Sequence, residues 1–224
     1  MLYLKFILFF LLLFPSAEKT GLPHNFKPGR VVKINENTYR IGKVTINKAL
    51  REAVFTGQVI MQQGLIEYLV VNKDGKCYES ILSSDIDPID LQLALILLGF
   101  NYGQNIRERN DKNMPGGEKL EIFLQWTEGK KIKKVKAEEV IFDRVNKKKM
   151  EYGDWIFTGS MIYRGGILAQ EDKSLIATYH DPGAIINYAC PTQSDATGYS
   201  AYDANPEVLP PRSTRITITI RKEK

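Results

Sequence analysis

Between Pro88 and Leu98 the chain reads PIDLQLALILL, with almost no polar face. In Asp87-Pro88-Ile89-Asp90 an aspartate is placed to accept from unpaired helix amides, proline fits the first helical position, and a second acid sits in the positive first turn. Gly99 supplies the stop. Leu91, Leu93, Ala94, Leu95, Ile96, Leu97 and Leu98 occupy all sides of such a helix, so it must be covered on most of them. The sequence therefore predicts a core helix over about residues 88–98, the only long one in the chain.

Around it the pattern is that of strands. Tyr39 to Ile46, Ala53 to Met61, Leu65 to Val71 and Lys76 to Leu82 are rich in Val, Ile, Tyr and Phe and are separated by turn residues. Gln62-Gln63-Gly64 and Asn72-Lys73-Asp74-Gly75 are short enough for hairpins, which predicts a three-stranded meander feeding the helix. Leu120, Ile122, Leu124 and Trp126 alternate with polar or aromatic neighbours and turn at Glu128-Gly129 into Ile132 to Val135. Ala137 to Phe142 fits a short helix or a strand. Asp154 to Ser160 reads as a strand broken by a glycine. Gly165 to Gln170 is expected to pair with Ser174 to Tyr179, Ala184 to Tyr188 follows the turn at His180 to Gly183, and Ile216, Ile218 and Ile220 alternate with threonines. Asn101 to Gly117 and Pro191 to Pro211 read as long exposed loops. The fold class predicted is mainly β (α+β): antiparallel sheets with one long apolar helix packed on them.

Lys5, the apolar run Phe6 to Phe14 and then Pro15-Ser16-Ala17 give residues 1–17 the make-up of an export signal. The run is far shorter than the roughly 20 apolar residues that span a bilayer, so no stable membrane span is expected after its removal. Residues 18–30 read as a lead-in and 31–224 as one domain. The sequence thus predicts an exported protein of the periplasm or the extracellular space. The net charge of +5 is spread through turns. Its densest groups, Lys130, Lys131, Lys133, Lys134 and Lys136, then Lys147 to Lys149, read as solvated hairpins or as contacts for anionic envelope polymers and lipid head groups. No nucleic-acid recognition motif accompanies them.

GLIEYLVVNKDGKCYESILSSDIDPIDLQLALILLG (Gly64 to Gly99), EIFLQWTEGK (Glu121 to Lys130), DWIFTGS (Asp154 to Ser160) and NPEVLPPRSTRITITI (Asn205 to Ile220) resemble, in this order, the exported YdjY-like domain of bacteria. The most specific parts are the Tyr78-Glu79-Ser80 step and the strand Trp155 to Ser160. The resemblance covers most of the chain beyond residue 17. It implies export and a shared single-domain fold and transfers no catalytic residue.

Glu79 and Ser80, adjacent on the expected strand, would face opposite sides. An inward Glu79 beside the apolar helix would have a raised pKa, as in general acids and ligand-binding carboxylates; the plainer reading is a carboxylate that accepts backbone amides. Trp155, Thr158 and Ser160 form an aromatic and hydroxyl set for a sugar or peptide groove, or else Trp155 is core. Ser160 lacks the Gly-x-Ser-x-Gly turn, and only His180 is placed to serve as a base, which speaks against a Ser-His-acid triad. Asp85, Asp87 and Asp90 depart from the calcium-loop template and read as helix caps. Two cysteines and two scattered histidines do not supply a zinc or iron-sulfur site, and no phosphate loop or dinucleotide fingerprint appears, so neither metal nor cofactor is expected. Cys77 and Cys190 admit two readings, a disulfide in an oxidising compartment or a small buried hydrophobe at Cys77. The reading that follows is a non-enzymatic envelope module that binds an envelope component or another exported protein through Glu79, Ser80, Trp155, Thr158 and Ser160, with the Asn101 to Gly117 loop as a further candidate for the same face. The alternatives are an envelope hydrolase or transferase using Glu79 as general acid or base with Ser160 or Asp85 nearby, and a structural domain of a larger envelope assembly.

Overall fold

The computed structural model describes residues 31–103, 106–189 and 200–223. The expected signal segment 1–17, the lead-in 18–30 and Cys190 lie outside the described residues.

The period-2 pattern appears where the sequence places it. In β17 (Arg215–Lys222) Ile216, Ile218 and Ile220 are buried and alternate with half-buried threonines. The same holds for Leu120, Ile122, Leu124 and Trp126 of β7 (Glu118–Glu128) and for Ala53, Phe55 and Val59 of β4 (Glu52–Val59). Ile218 lies between Phe55 on one side and Leu124 on the other. Beyond β7 the sheet continues through β11 (Trp155–Phe157), β15 (Ile186–Tyr188), β14 (Ser174–Ala177), β5 (Tyr68–Asn72) and β6 (Ser80–Ser84). Strand β6 then pairs with β4, and eight strands close on themselves as a barrel. Three strands, β1 (Val31–Lys33), β2 (Thr38–Ile41) and β3 (Val44–Asn47), extend from β4, and β8 (Lys131–Lys136) extends from β7. A small sheet joins β9 (Ile141–Asp143), β10 (Lys148–Lys149) and β16 (Tyr202–Ala204), and β12 (Ile162–Tyr163) pairs with β13 (Gly166–Ile167).

The closed barrel overturns the expected α+β layering of antiparallel sheets under a long helix. Strands take 44% of the residues and helix 12%, and one buried cluster runs from the strands of the ring to the helix Pro88–Leu97 and the strands that extend from β4. The cause is two parallel pairs, β5 with β6 and β14 with β15. Neither Gln62 to Gly64 nor Asn72 to Gly75 makes a hairpin. Residues 73–79 instead carry the chain back beside β5, which they can do because the strands overlap by only about four residues, about 13 Å. Parallel strands ordinarily need a longer crossover, which is why a turn-rich link of this length reads as a hairpin. The expected pairing of Gly165 to Gln170 with Ser174 to Tyr179 is also absent, since Leu168–Asp172 coils into the short helix α2. The β7–β8 hairpin forms as expected.

Helix α1 (Pro88–Leu97) buries every residue from Pro88 to Leu95, against β2, β3, β14 and α2. Its ten residues fall within the span expected, about 88–98. Gly99, at φ +76°, ends it: its amide donates to Ile96 O at 2.9 Å and that of Phe100 to Leu95 O at 3.1 Å. The start differs from expectation. Asp87 makes no capping bond, and the Ile89 amide instead donates to Gln170 Oε1 of α2 at 2.9 Å, while Asp85 pairs with Lys43.

Asp90 is 7% exposed and fills the space over Gly42, where a Cβ would stand 1.9 Å from Asp90 Oδ2. Burial, then the charge of Asp87, raises its pKa from 3.8 to about 6. The folded chain therefore holds this proton more tightly than the unfolded chain, and stability falls as pH rises from about 4 to about 6. Asp90→Asn is expected to stabilise the protein by about 2 kcal/mol at neutral pH and by nothing near pH 4. Urea unfolding at both pH values measures it; an equal gain at both would show that charge is not the cause.

Candidate functional site

The link from β5 to β6 ends in a 3-10 turn, Cys77–Glu79. It is fixed from both sides: Ser80 Oγ donates to Lys76 O at 2.7 Å, and the Glu67 amide to Glu79 O at 2.9 Å. Glu79 is therefore in a turn, not on a strand, and does not alternate with Ser80 in the way expected. Tyr78 is 75% exposed, whereas Glu79 is half-buried toward a polar cluster.

Tyr68 of β5 is the hub of that cluster. Its hydroxyl accepts from Lys76 Nζ at 2.6 Å, meets the Tyr179 hydroxyl at 2.7 Å and donates to Asp181 Oδ2 at 2.8 Å. The two tyrosine rings stand edge to face at 5.7 Å, and each carries a cation at 4.8 Å, Lys76 over Tyr68 and Arg109 over Tyr179. Arg109 also pairs with Glu67. Asp181 is held in turn: its amide donates to Asn187 Oδ1 at 2.7 Å, its Oδ1 accepts from the Gly183 amide at 2.8 Å, and Asn187 Nδ2 donates to Thr158 Oγ1 at 2.7 Å.

The electrostatics follow from burial. Desolvation, then the Asp181 charge, raises both phenols far above their ordinary value, so they remain protonated donors. Burial, then the charge of Glu67, raises Glu79, against a pull downward from Lys76 and Arg109. Asp172 is also raised by burial, with Lys76 opposing. Such an arrangement holds carboxylates near protonated tyrosines and two cations; with the Tyr68 hydroxyl already engaged on three sides, it is a rigid support more than a free acid.

Of the expected site residues, Thr158 ends this hydrogen-bond network through Asn187, and Glu79 adjoins it through the charges of Glu67, Lys76, Arg109 and Asp181. Ser80 is buried and bonded to the turn. Ser160 sits apart, its amide donating to Gln92 Oε1 at 2.9 Å and its Oγ accepting from the Ala169 amide at 2.8 Å. Trp155 is buried against Tyr188 at 5.1 Å, beside Glu138, whose carboxyl is raised by burial against the pull of hydrogen bonds from backbone amides. Trp155, Thr158 and Ser160 are all at most 1% exposed. Cys77 Sγ donates to Lys73 O at 3.4 Å. His180 is buried with its Nδ1 on Asp111 O, and burial lowers its pKa.

Tyr68, Lys76, Tyr179, Asp181 and Arg109 were not singled out by the sequence, because four separate segments contribute them. The legible hints were the turn His180 to Gly183 and the long loop that carries Arg109. On the other side of the 77–79 turn an open groove of about 630 Å³ is lined by Met61, Gln62, Gln63, Tyr78, Pro206 and Arg212 among others. Among the described residues no group of three His, Cys, Asp or Glu side chains is placed to hold a metal ion.

The fold and site thus define a closed β-barrel domain with a polar tyrosine cluster and an open groove either side of one turn. The chain belongs to the YdjY domain family, whose model matches residues 43–221. The match spans the whole barrel except the last residue of β17. No curated protein and no solved structure matches the chain. Among the described residues no helix is long and apolar enough to cross a membrane.

Proposed function

We propose that the protein is an exported, non-enzymatic binding module of the bacterial envelope, periplasmic or extracellular, that takes an envelope component or another exported protein at the 77–79 turn. The observation that carries this reading is the open groove beside Tyr78, a large aromatic ring left 75% exposed on a turn that is otherwise tied down by hydrogen bonds. An exposed aromatic on a backbone held in place, at the wall of a concave site, suits recognition. The make-up of residues 1–17 supports export.

The acid-base alternative keeps one support, the raised pKa of Glu79. Its expected companions are engaged elsewhere: Ser160 with Gln92 and Ala169, and Asp85 with Lys43. Binding therefore accounts for more of the geometry than turnover does.

A thermal-shift screen of peptidoglycan fragments, oligosaccharides and acidic lipids tests the proposal. A ligand at 100 times its Kd stabilises the fold by about 2.7 kcal/mol. The shift is expected to vanish in Tyr78→Ala and to shrink in Glu79→Ala. A ligand whose shift survives both substitutions would place its site elsewhere.

A further inference from the structure

The groove beside Tyr78 has a one-sided chemistry. Among the described residues that line it, Arg212 is the only charged one and none is a carboxylate. Arg212 is exposed and makes no ion pair with any described acid, so its guanidinium faces solvent with its five donors uncommitted. A planar fork of this kind matches an oxyanion, a carboxylate or a phosphate, with two parallel N–H donors. The two carboxamides add neutral donors and acceptors. Gln62 Nε2 is anchored on Pro210 O at 3.1 Å, which fixes that side chain and leaves its Oε1 to accept, while Gln63 is exposed. The Tyr78 ring, 75% exposed, offers a flat apolar platform with a hydroxyl at its edge.

A platform, paired amides and one guanidinium suit a ring that has an apolar face, many hydroxyls and an acid group. An extended peptide fits less well. Peptides that dock along a sheet use free main-chain groups, and here the amides of Ile60 and Met61 both donate to Ile81 O, at 2.9 and 3.3 Å, while that of Val59 donates to Thr214 O at 3.0 Å. The strand end at the groove is already satisfied. The volume, about 630 Å³, lies within the range of small-ligand sites and suits a few linked sugar rings.

We infer that this groove binds a carboxylated oligosaccharide, with a sugar ring on Tyr78 and its carboxylate on Arg212. The inference rests on the groove being the binding site, as proposed above, and adds the chemical class of its ligand. It accounts for the absence of acids among the described lining residues, since a carboxylate near Arg212 would compete with the ligand for the same fork. Binding of this kind weakens as salt rises, because the guanidinium is exposed.

The experiment compares an oligogalacturonide with its methyl ester, which keeps the rings and hydroxyls and removes only the charge. Kd is measured by calorimetry for the wild type, Tyr78→Ala and Arg212→Gln, both substitutions being at exposed positions. The acid is expected to bind the wild type about tenfold or more tightly than the ester. Arg212→Gln should erase that preference, and Tyr78→Ala should weaken both ligands. Equal binding of acid and ester by the wild type overturns the carboxylate assignment; if that binding still needs Tyr78, the groove itself stands. Failure of both ligands to bind, while another compound from the screen gives a Tyr78-dependent shift, overturns the sugar class and leaves the binding module intact. Failure of both with no Tyr78-dependent shift from any compound removes the two readings together.

Discussion

Trp155→Ala is expected to lower the unfolding free energy by about 3–5 kcal/mol, the cost of emptying the space of a fully buried indole. Trp155 sits at the middle of the ring of strands, opposite Leu120 of β7 and Tyr188 of β15. Its ring lies at 5.1 Å and 56° on that of Tyr188, which in turn meets Tyr202 edge to face at 6.2 Å. The Tyr188 hydroxyl donates to Glu151 O at 2.9 Å. This row of aromatics couples the barrel to the small sheet through Tyr202 of β16, so the loss should spread beyond one cavity. Trp155→Phe keeps much of the contact and should cost about half as much. Because Trp155 is 0% exposed and does not line the groove, the Phe variant should bind groove ligands as the wild type does. Denaturant unfolding and a binding titration on both variants test this. A stable Trp155→Ala protein with lost binding would instead make the indole part of a site.

The difference between Trp155 as a candidate ligand contact and Trp155 as core marks how far the sequence could be read. Strands with strict alternation were legible, because one face of β17, β7 and β4 is apolar and the other is not. Strands β5, β11, β14 and β15 are buried on both faces and show no alternation, so neither their partners nor their direction could be derived. Barrel closure depends on those strands. The helix was legible from Pro88 and Gly99, yet its true N-terminal partner, Gln170, comes from a segment that reads as a strand. At the site, Glu79 is legible because it adjoins the helix, while Tyr68 meets Tyr179 and Asp181 across the antiparallel pair of β5 with β14, in which Ala177 stands opposite Tyr68, a long-range pairing that no turn signal marks. Tyr78 was seen as part of a recognisable step but not as exposed, since a residue on a strand and a residue on a 3-10 turn face different surroundings.

The second large effect is expected at Gly57, where β4 changes partner. Along its whole length β4 pairs with β17; on its other edge it pairs with β3 up to Val54 and with β6 from Gly57 onward. Gly57 belongs to the inward row of Ala53, Phe55 and Val59, and a Cβ there would stand 2.8 Å from Ser83 O and 3.2 Å from Ile218 Cδ1. The first of these is main chain, and it cannot move away without drawing β6 off β4. Ser84 Oγ, which donates to Thr56 O at 2.7 Å, would be displaced with it. A glycine inside a strand often marks such a close approach. Gly57→Val should therefore cost about 3 kcal/mol and Gly57→Ala about half of that, whereas Gly166→Ala, whose Cβ would meet nothing nearer than 3.8 Å, should stay within about 0.5 kcal/mol. Hydrogen exchange separates local from global loss. The amides joining β4 to β6 should lose protection first, while those joining β17 to β7 keep theirs, because opening the ring at its seam leaves the long antiparallel ladders paired. A Gly57→Val protein of native stability with β6 still protected would mean that the ring closes without depending on this approach, and that the parallel pair with β5 is enough to hold β6 in place.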